Sequence, residues 1–509
     1  MKLIQHSDER SERDLDGGPP KTEADLLTWE DLIESEREKE REKEKEERLD
    51  KIREEKEKLD KIRHKLDRIQ DQLDEIKEES PSLIDSIKII FSWRNYSVYL
   101  ATAWIFSAFS YMGLFFNLYF LELYPGDYVT LGAIISISNA VAAISRLGGG
   151  YVGDVVNRKH LSVIAMFMMA AYNLVLGIFI EFTWIFIALM IGATMEIFKG
   201  GSSAYIMDNI PKKHSGLGLS LFQIGRLLGI VTLGSFVILT PLLGFEPSLR
   251  LMFLIGGICL IAAAIARAVF LKGKDPEIKR DGVSLPRAFF EDNKRAVGLL
   301  MKTVPGMIAV VIIDSISDSL FKFGSYIYIY EVVGIEIPGI TIMSLVTILV
   351  SVPLLLGAGR LSDRYSLKKL ALGVYCIIPI SAMMLVISPM IPYWAPRSIV
   401  NNAESIMIGL GAVFSTPFLA IVLKSLNDSI WYLLLLIIIQ KSLPRQDTSK
   451  ILSVFWFIVW LCASVGPYIG GLFFQYFYQG DLFLVILLLN MLILAWISSQ
   501  GLIRERDPT

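Results

Sequence analysis

The sequence is poor in the residues on which soluble catalytic and metal chemistry usually depends. Its 509 residues include three cysteines and four histidines. Cys259, Cys376 and Cys462 lie in apolar runs with no Cys-x-x-Cys or Cys-x-x-Cys-His spacing, which argues against a disulfide framework and a metal site. His6, His64, His160 and His214 lie on a charged extension or at the ends of apolar runs. No charge of one sign dominates: the formal net charge is −2, which gives nucleic acid no bulk attraction. There is no Gly-x-x-x-x-Gly-Lys-Ser/Thr sequence, so a built-in ATPase is not expected. Neither an Arg-x-x-Arg series for a voltage sensor nor a TVGYG-type filter occurs. The opening MKLIQHSDERS has no apolar signal-peptide core, so insertion is expected to use internal segments. No cofactor, metal or enzyme activity is expected.

What is present is apolar. Hydrophobic residues make up 53% of the chain, and mean hydropathy is +0.49, more than a soluble surface of this length tolerates. The excess is uneven. Residues 1–80 form a polar extension in which Glu alternates with Lys and Arg from Glu36 to Arg48. A Leu-Asp-x-Ile motif then recurs from Leu49, Leu59, Leu66 and Leu73. The last three copies keep a seven-residue step, so the pattern reads as a coiled-coil seam with one stammer. Self-association through this helix and a lone helix held by Glu–Lys pairs both remain open. Ser80-Pro81 ends the helix, and the amphipathic stretch Leu83 to Trp93 is expected at the membrane interface.

The remainder is a series of apolar runs, each near the ~20 residues that cross a bilayer as a helix. Spans are expected at 97–121, 129–150, 161–180, 184–209, 216–241 and 250–271, then at 297–330, 339–361, 369–390, 418–442, 451–475 and 482–503. The expected fold class is an all-α membrane protein with twelve transmembrane helices in two pseudo-symmetric bundles of six. Its parts are the extension 1–80, a first bundle 81–272, a central cytoplasmic loop 273–296 and a second bundle 297–509. Lys and Arg concentrate in one set of loops, among them Arg158, Lys212, Lys279, Arg364 and Arg445, while acids such as Glu122, Glu181 and Glu336 mark the other. The basic set is expected to face the cytoplasm, with both termini inside and the protein in the cell membrane.

The two halves repeat themselves. Gly150 precedes Asp154 by four positions, with Arg158 and Lys159 following; Gly359, Asp363, Arg364 and Lys368 form a related set in the second half. A second pair begins at Pro211-Lys212-Lys213 and Pro444-Arg445. Here the chain resembles the major facilitator superfamily, whose best-known signature is Gly-x-x-x-Asp-Arg-x-Gly-Arg-Lys between its second and third spans. Val155 and Asn157 depart from that pattern. The resemblance covers roughly residues 95–503 and implies a secondary transporter working by alternating access, with this motif as a cytoplasmic gate in which Asp154 and Arg158 pair, joined by Asp208. Topology alone is the plainer reason for such a motif: Gly lets helices approach, and basic residues hold the loop inside. Between the paired loop motifs the halves differ, with 57 positions from Asp154 to Pro211 and 81 from Asp363 to Pro444. The surplus best fits 391–416, as an external excursion or hairpin; a split into spans at 403–424 and 429–442 is the alternative. A Gly-Pro-x-x-Gly-Gly element, Gly466 to Gly471, lies in the eleventh span, whereas drug–proton antiporters of the superfamily carry theirs in the fifth.

Charges within apolar spans cost free energy and mark functional candidates. They are Glu196 and Lys199 in the fourth run, Arg226 in the fifth, Asp314, Asp318 and Lys322 at i, i+4 and i+8 in the seventh, and Lys424 and Asp428 in the tenth. Self-neutralising pairs, Asp318 with Lys322 and Lys424 with Asp428, are the structural explanation. The superfamily lines its central cavity with spans 1, 4, 7 and 10, so the resemblance implies a transport path. Asp314 or Glu196 is then expected to take up and release a proton, and Arg226 and Lys199 to hold an anionic group or act as internal counter-ions. Trp104, Phe109, Tyr111, Phe115, Phe116, Trp456 and Trp460 are candidate cavity aromatics or packing anchors. Expected partners are a small-molecule substrate, protons and the lipid bilayer, with no nucleic acid. Within the superfamily a drug efflux antiporter is an alternative; outside it, a membrane receptor or scaffold working through the extension.

Overall fold

A computed structural model describes residues 83–209, 221–222, 224–273, 285–364, 367–442 and 448–500, with positions 34, 41, 43, 56, 58, 59, 62 and 65 of the extension. The heptad seam as a whole falls outside the described residues. The chain divides into two units, Met1–Asp85 and Ser86–Thr509.

The described residues are helical apart from short turns and one isolated bridge between Tyr393 and Ser415. In order they form α1 (Leu83–Ser92), α2 (Arg94–Ser110), α3 (Phe116–Leu123), α4 (Tyr128–Val155), α5 (Arg158–Ile178), α6 (Phe182–Asn209), α7 (Gly229–Leu243) and α8 (Phe245–Phe270). The second half contributes α9 (Leu285–Thr303), α10 (Pro305–Glu331), α11 (Ile337–Arg364), α12 (Leu367–Tyr375), α13 (Ile377–Ile387), α14 (Arg397–Ile406), α15 (Thr416–Ser442), α16 (Thr448–Ala463), α17 (Val465–Tyr476) and α18 (Asp481–Gln500). Seven of the described helical stretches are long and apolar enough to cross a bilayer, or eight if a bent pair counts as one.

Local chemistry sets the ends. Asp127 caps α4 by accepting from the Thr130 amide at 3.2 Å, and Asn157 caps α5 through the Lys159 amide at 3.0 Å. Asn157, a departure from the family pattern, thus satisfies an otherwise orphaned helix N–H. The expected span 297–330 needs correction. Its first residues belong to α9, which turns from α10 by 102°. Val304, at φ −136° and ψ 50°, leaves helical geometry ahead of Pro305, and Pro305 starts the next helix, where its missing N–H costs nothing. In the 391–416 segment, α14 and a 3-10 turn (Leu410–Phe414) precede α15, which runs unbroken. Glu404 ties this segment together by accepting from the Gly409 and Gly411 amides at 2.5 and 3.0 Å.

Within the first half, α6 packs on α4 and α5, and α8 on α5; within the second, α13 packs on α15 and α18, and α10 on α18. The halves meet where α4 packs on α16 and α17, and where α7 packs on α11. With lipid outside, apolar burial supplies little net drive, and close backbone approach matters more. A Cβ added at Gly132 of α4 would collide with the Pro467 carbonyl, and one at Gly471 with the Tyr128 carbonyl. Polar contacts also cross: Asn117 Nδ2 donates to the Phe323 carbonyl at 3.0 Å, and the Tyr468 amide donates to Ser136 Oγ at 2.9 Å. At one end of α4 and α10, Glu331 accepts from the Tyr128 hydroxyl at 2.7 Å and from Gln479 Nε2 at 2.9 Å.

Candidate functional site

A cavity of about 690 Å³ lies between the halves. Tyr111, Asn117 and Asn139 are among the residues that line it from the first half, and α10, α11, α15 and α16 supply most of the rest, with Pro467 of α17. All the second-half charges singled out in the sequence reach it: Asp314, Asp318, Lys322, Lys424 and Asp428.

Four of them form a balanced cluster. Lys424, whose side chain is 6% exposed, places Nζ 2.6 Å from Asp318 Oδ1 and donates to Asp428 Oδ1 as well. Lys322 Nζ stands 2.7 Å from Asp318 Oδ2 and 3.8 Å from Asp428 Oδ2. A lone lysine at mid-membrane costs about 2.5–3.5 kcal/mol; two carboxylates around this one offset the penalty. The expected pairs within α10 and within α15 both form, and the Lys424–Asp318 contact joins them across the two helices. The i, i+4 spacing puts each pair on one helical face, and the packing brings the faces together.

Asp314, one turn before Asp318, stands apart. Among the described residues no salt bridge reaches it. Its partners are neutral: Trp431 Nε1 donates to Oδ2 at 2.9 Å, and the Tyr375 hydroxyl lies 2.8 Å from Oδ1. The Tyr375 and Trp431 rings meet edge to face at 5.0 Å. Tyr375, itself fully buried, also lies 2.7 Å from Asn490 Oδ1.

A second cavity, about 250 Å³, sits in the first half and shares Gly113, Asn139 and Trp460 with the lining of the large one. Here Glu196 pairs with Arg146 at 2.7 Å and with Lys199 at 2.9 Å. The Arg146 guanidinium stacks 4.0 Å from the centre of the Trp460 ring, a cation–π contact between halves. Glu196 and Lys199 are therefore together, but apart from the Asp314 group.

Arg226 lies in a 3-10 turn, Gly225–Leu228, and its side chain falls outside the described residues. So do the side chains of Asp154, Asp363, Arg364 and Lys368; the backbone puts Gly150 and Asp154 late in α4, and Gly359 and Asp363 late in α11. Arg158 and Lys159 open α5. Of the candidate aromatics, Tyr111, Trp456 and Trp460 line the large cavity and Phe109 the small one. Phe115 and Phe116 are buried in the core, and Trp104 donates to the Leu221 carbonyl at 3.0 Å.

Sequence reasoning missed Arg146, Tyr375, Trp431 and Asn490. Arg146 is the lone charge in the apolar part of its span, and the rule that found Glu196 would have found it. Asn490 is the one amide between Asp481 and Ser498. Tyr375 and Trp431 carry no such signal, since aromatics are common in spans.

The Major Facilitator Superfamily model matches residues 90–467. Solved structures of similar fold include a POT family transporter in complex with 5-aminolevulinic acid, at 14% identity and TM-score 0.58, covering 80% of this chain and 95% of that one. The nucleoside transporter NupG matches at 12% identity and TM-score 0.57, covering 79% and 98%. A D-xylose-proton symporter matches at 14% identity and TM-score 0.54, covering 83% and 99%. At such identities the likeness is one of fold. No curated protein sequence matches significantly.

Proposed function

The chain belongs to the major facilitator superfamily, a multi-pass membrane transporter rather than an enzyme, and from that premise we propose that it carries a small organic solute across the cell membrane by alternating access, coupled to protons exchanged at Asp314. The observation that carries the proposal is the asymmetry of charge in the large cavity. Asp318, Lys322, Lys424 and Asp428 balance one another, while Asp314 has neutral partners only. With Asp314 protonated the cavity wall is neutral; with Asp314 ionised it holds one uncompensated negative charge. In a low-dielectric site the ionised form is tolerated when a cationic or strongly polar group of the solute takes the proton's place. Proton and solute thus compete for one carboxylate, and the carrier alternates between two loaded states. Asp318 and Asp428 hold the lysines rather than the proton. Glu196, with Arg146 and Lys199, is a fixed counter-ion group of the first half.

In the same reading twelve spans form two bundles of six, with both termini in the cytoplasm. The placement of α2–α3, α4–α8, α10, α11, α12–α13, α15, α16–α17 and α18 on the twelve apolar runs, and the clustering of Lys and Arg in alternate loops, support it. Asp154 with Arg158, and Asp363 with Arg364 and Lys368, form the cytoplasmic gate. The solved structures of similar fold carry 5-aminolevulinic acid, nucleosides or xylose in their names, and this chain's substrate is a small solute of comparable size. Drug efflux is the second reading, favoured by the aromatic wall of Tyr111, Tyr432, Trp456 and Trp460, which suits a lipophilic cation.

Reconstitution tests this. Proteoliposomes with an imposed pH gradient are offered a library of metabolites and lipophilic cations, beside an Asp314→Asn control. Gradient-driven flux that disappears in Asp314→Asn is expected. Flux that keeps its full gradient dependence in that variant would remove Asp314 from the coupling step.

A further inference from the structure

Asp314, Tyr375 and Asn490 form a chain whose hydrogens can be counted. The Asn490 side chain is fully buried. Its Nδ2 lies 2.7 Å from the Ile486 carbonyl and 2.6 Å from Ser317 Oγ. A flipped amide would put Oδ1 against the Ile486 carbonyl, two acceptors in contact. Nδ2 therefore faces Ile486, and Oδ1 faces the Tyr375 hydroxyl 2.7 Å away. Tyr375 has one hydrogen and two neighbours that accept, Asn490 Oδ1 and, at 2.8 Å, Asp314 Oδ1. If Asp314 is ionised, the hydroxyl serves one acceptor at the expense of the other: donating to Asp314 orphans the fully buried Asn490 Oδ1, and donating to Asn490 sets the hydroxyl oxygen against the carboxylate. If Asp314 carries a proton on Oδ1, it donates to the Tyr375 oxygen, and Tyr375 donates to Asn490. Every group is then satisfied. The carboxyl's other oxygen accepts from Trp431 Nε1, which fixes Oδ1 as the protonated atom.

We propose that Tyr375 and Asn490 are positioning residues that hold the proton on Asp314 in this conformation, through the relay Asp314 to Tyr375 to Asn490. The proposal rests on the reading of Asp314 as the proton site. The charged groups around Asp314 do not oppose it: Asp318 and Lys322 on α10 and Lys424 and Asp428 on α15 balance one another, while Tyr375 on α12, Asn490 on α18 and Trp431 on α15 are neutral. The relay also ties protonation to helix position. Separating α18 from α12 breaks the Tyr375–Asn490 bond and turns the Tyr375 hydrogen toward Asp314. The carboxylate then gains a donor and gives up its proton.

Infrared spectroscopy of the full chain in lipid nanodiscs tests the relay without any flux assay. The wild type at neutral pH should show a protonated-carboxyl C=O band that Asp314→Asn removes. Asn490→Leu should lower the ratio of protonated to ionised Asp314 by about tenfold, the equivalent of one orphaned buried acceptor. In a Tyr375→Phe background the same change should have no effect, because the relay is already cut. The absence of an Asp314 acid band in the wild type, an unchanged ratio in Asn490→Leu, or an equal effect in the Tyr375→Phe background would each overturn the proposal. If Asn490→Leu does not fold, Asn490→Ala, which removes the same acceptor, should give the same tenfold fall, and an unchanged ratio there would overturn the proposal. A band at Asp314 with flux indifferent to the pH gradient would leave the relay standing and sink the coupling role; gradient-driven flux without the band would do the reverse.

Discussion

The charges at the two cavities are held differently. In the first half one carboxylate, Glu196, is shared by Arg146 and Lys199, which leaves a cation in excess. In the second half, two carboxylates and two ammonium groups close on themselves, and a third carboxylate, Asp314, stands beside them among neutral donors. A charge held by opposite charges is costly to titrate, because removing it exposes its partners. One held by hydroxyl and indole hydrogens can change its proton without stranding another ion. The comparison therefore assigns fixed charge to the first cluster and to the second-half cluster around Lys424, and exchangeable charge to Asp314.

The sharpest way to break this contrast is Asp314→Asn. Gradient-driven flux should fall to background while the purified protein keeps its thermal unfolding temperature, since amide and protonated acid are close in shape and charge. Next comes Lys424→Met. Removing the buried centre of the cluster leaves Asp318 and Asp428 sharing Lys322, and a loss of about 3–5 kcal/mol is expected. It should appear as a lower unfolding temperature in detergent, and adding Asp428→Asn should recover part of it. Arg146→Ala should cost less, about 1–3 kcal/mol, because Lys199 remains on Glu196; thermal unfolding would rank it against Lys424→Met, and a larger loss than Lys424→Met would invert the comparison. Lys199→Ala, with its side chain 44% exposed, should cost under about 1 kcal/mol by the same assay. Smallest of all, deleting residues 1–80 should leave solute flux within about twofold; complete loss of flux would favour the receptor or scaffold reading.

The spans were legible because a bilayer demands long apolar runs whatever their tertiary partners, and α5, α6 and α8 lie close to where those runs predict. The break before Pro305 was visible in the sequence as a proline, yet the run on either side of it read as continuous. The i, i+4 pairs of α10 and α15 were legible because a helix fixes their geometry locally. Their fusion through Lys424 and Asp318 was not, since nothing local sets how two helices separated by about a hundred residues face each other. The surroundings of Asp314 were less legible still: Tyr375 and Asn490 come from helices distant in the chain and are neutral, so neither violates the apolar pattern as a charge does. Arg146 is a different kind of miss, a lone charge inside the expected span 129–150 that the in-span rule covers and that was passed over.

The segregation of counter-ions has a kinetic consequence. Among the described residues, no salt bridge joins the two halves; the links between them are Arg146 over Trp460, hydrogen bonds such as Asn117 to Phe323 and Tyr128 to Glu331, and the backbone contacts at Gly132 and Gly471. When the halves tilt, each carries its own ions with it, as a gear carries its own teeth. Tilting then need not pull either of these two clusters apart in a dry interior, and around them repacking and rehydration remain as the cost.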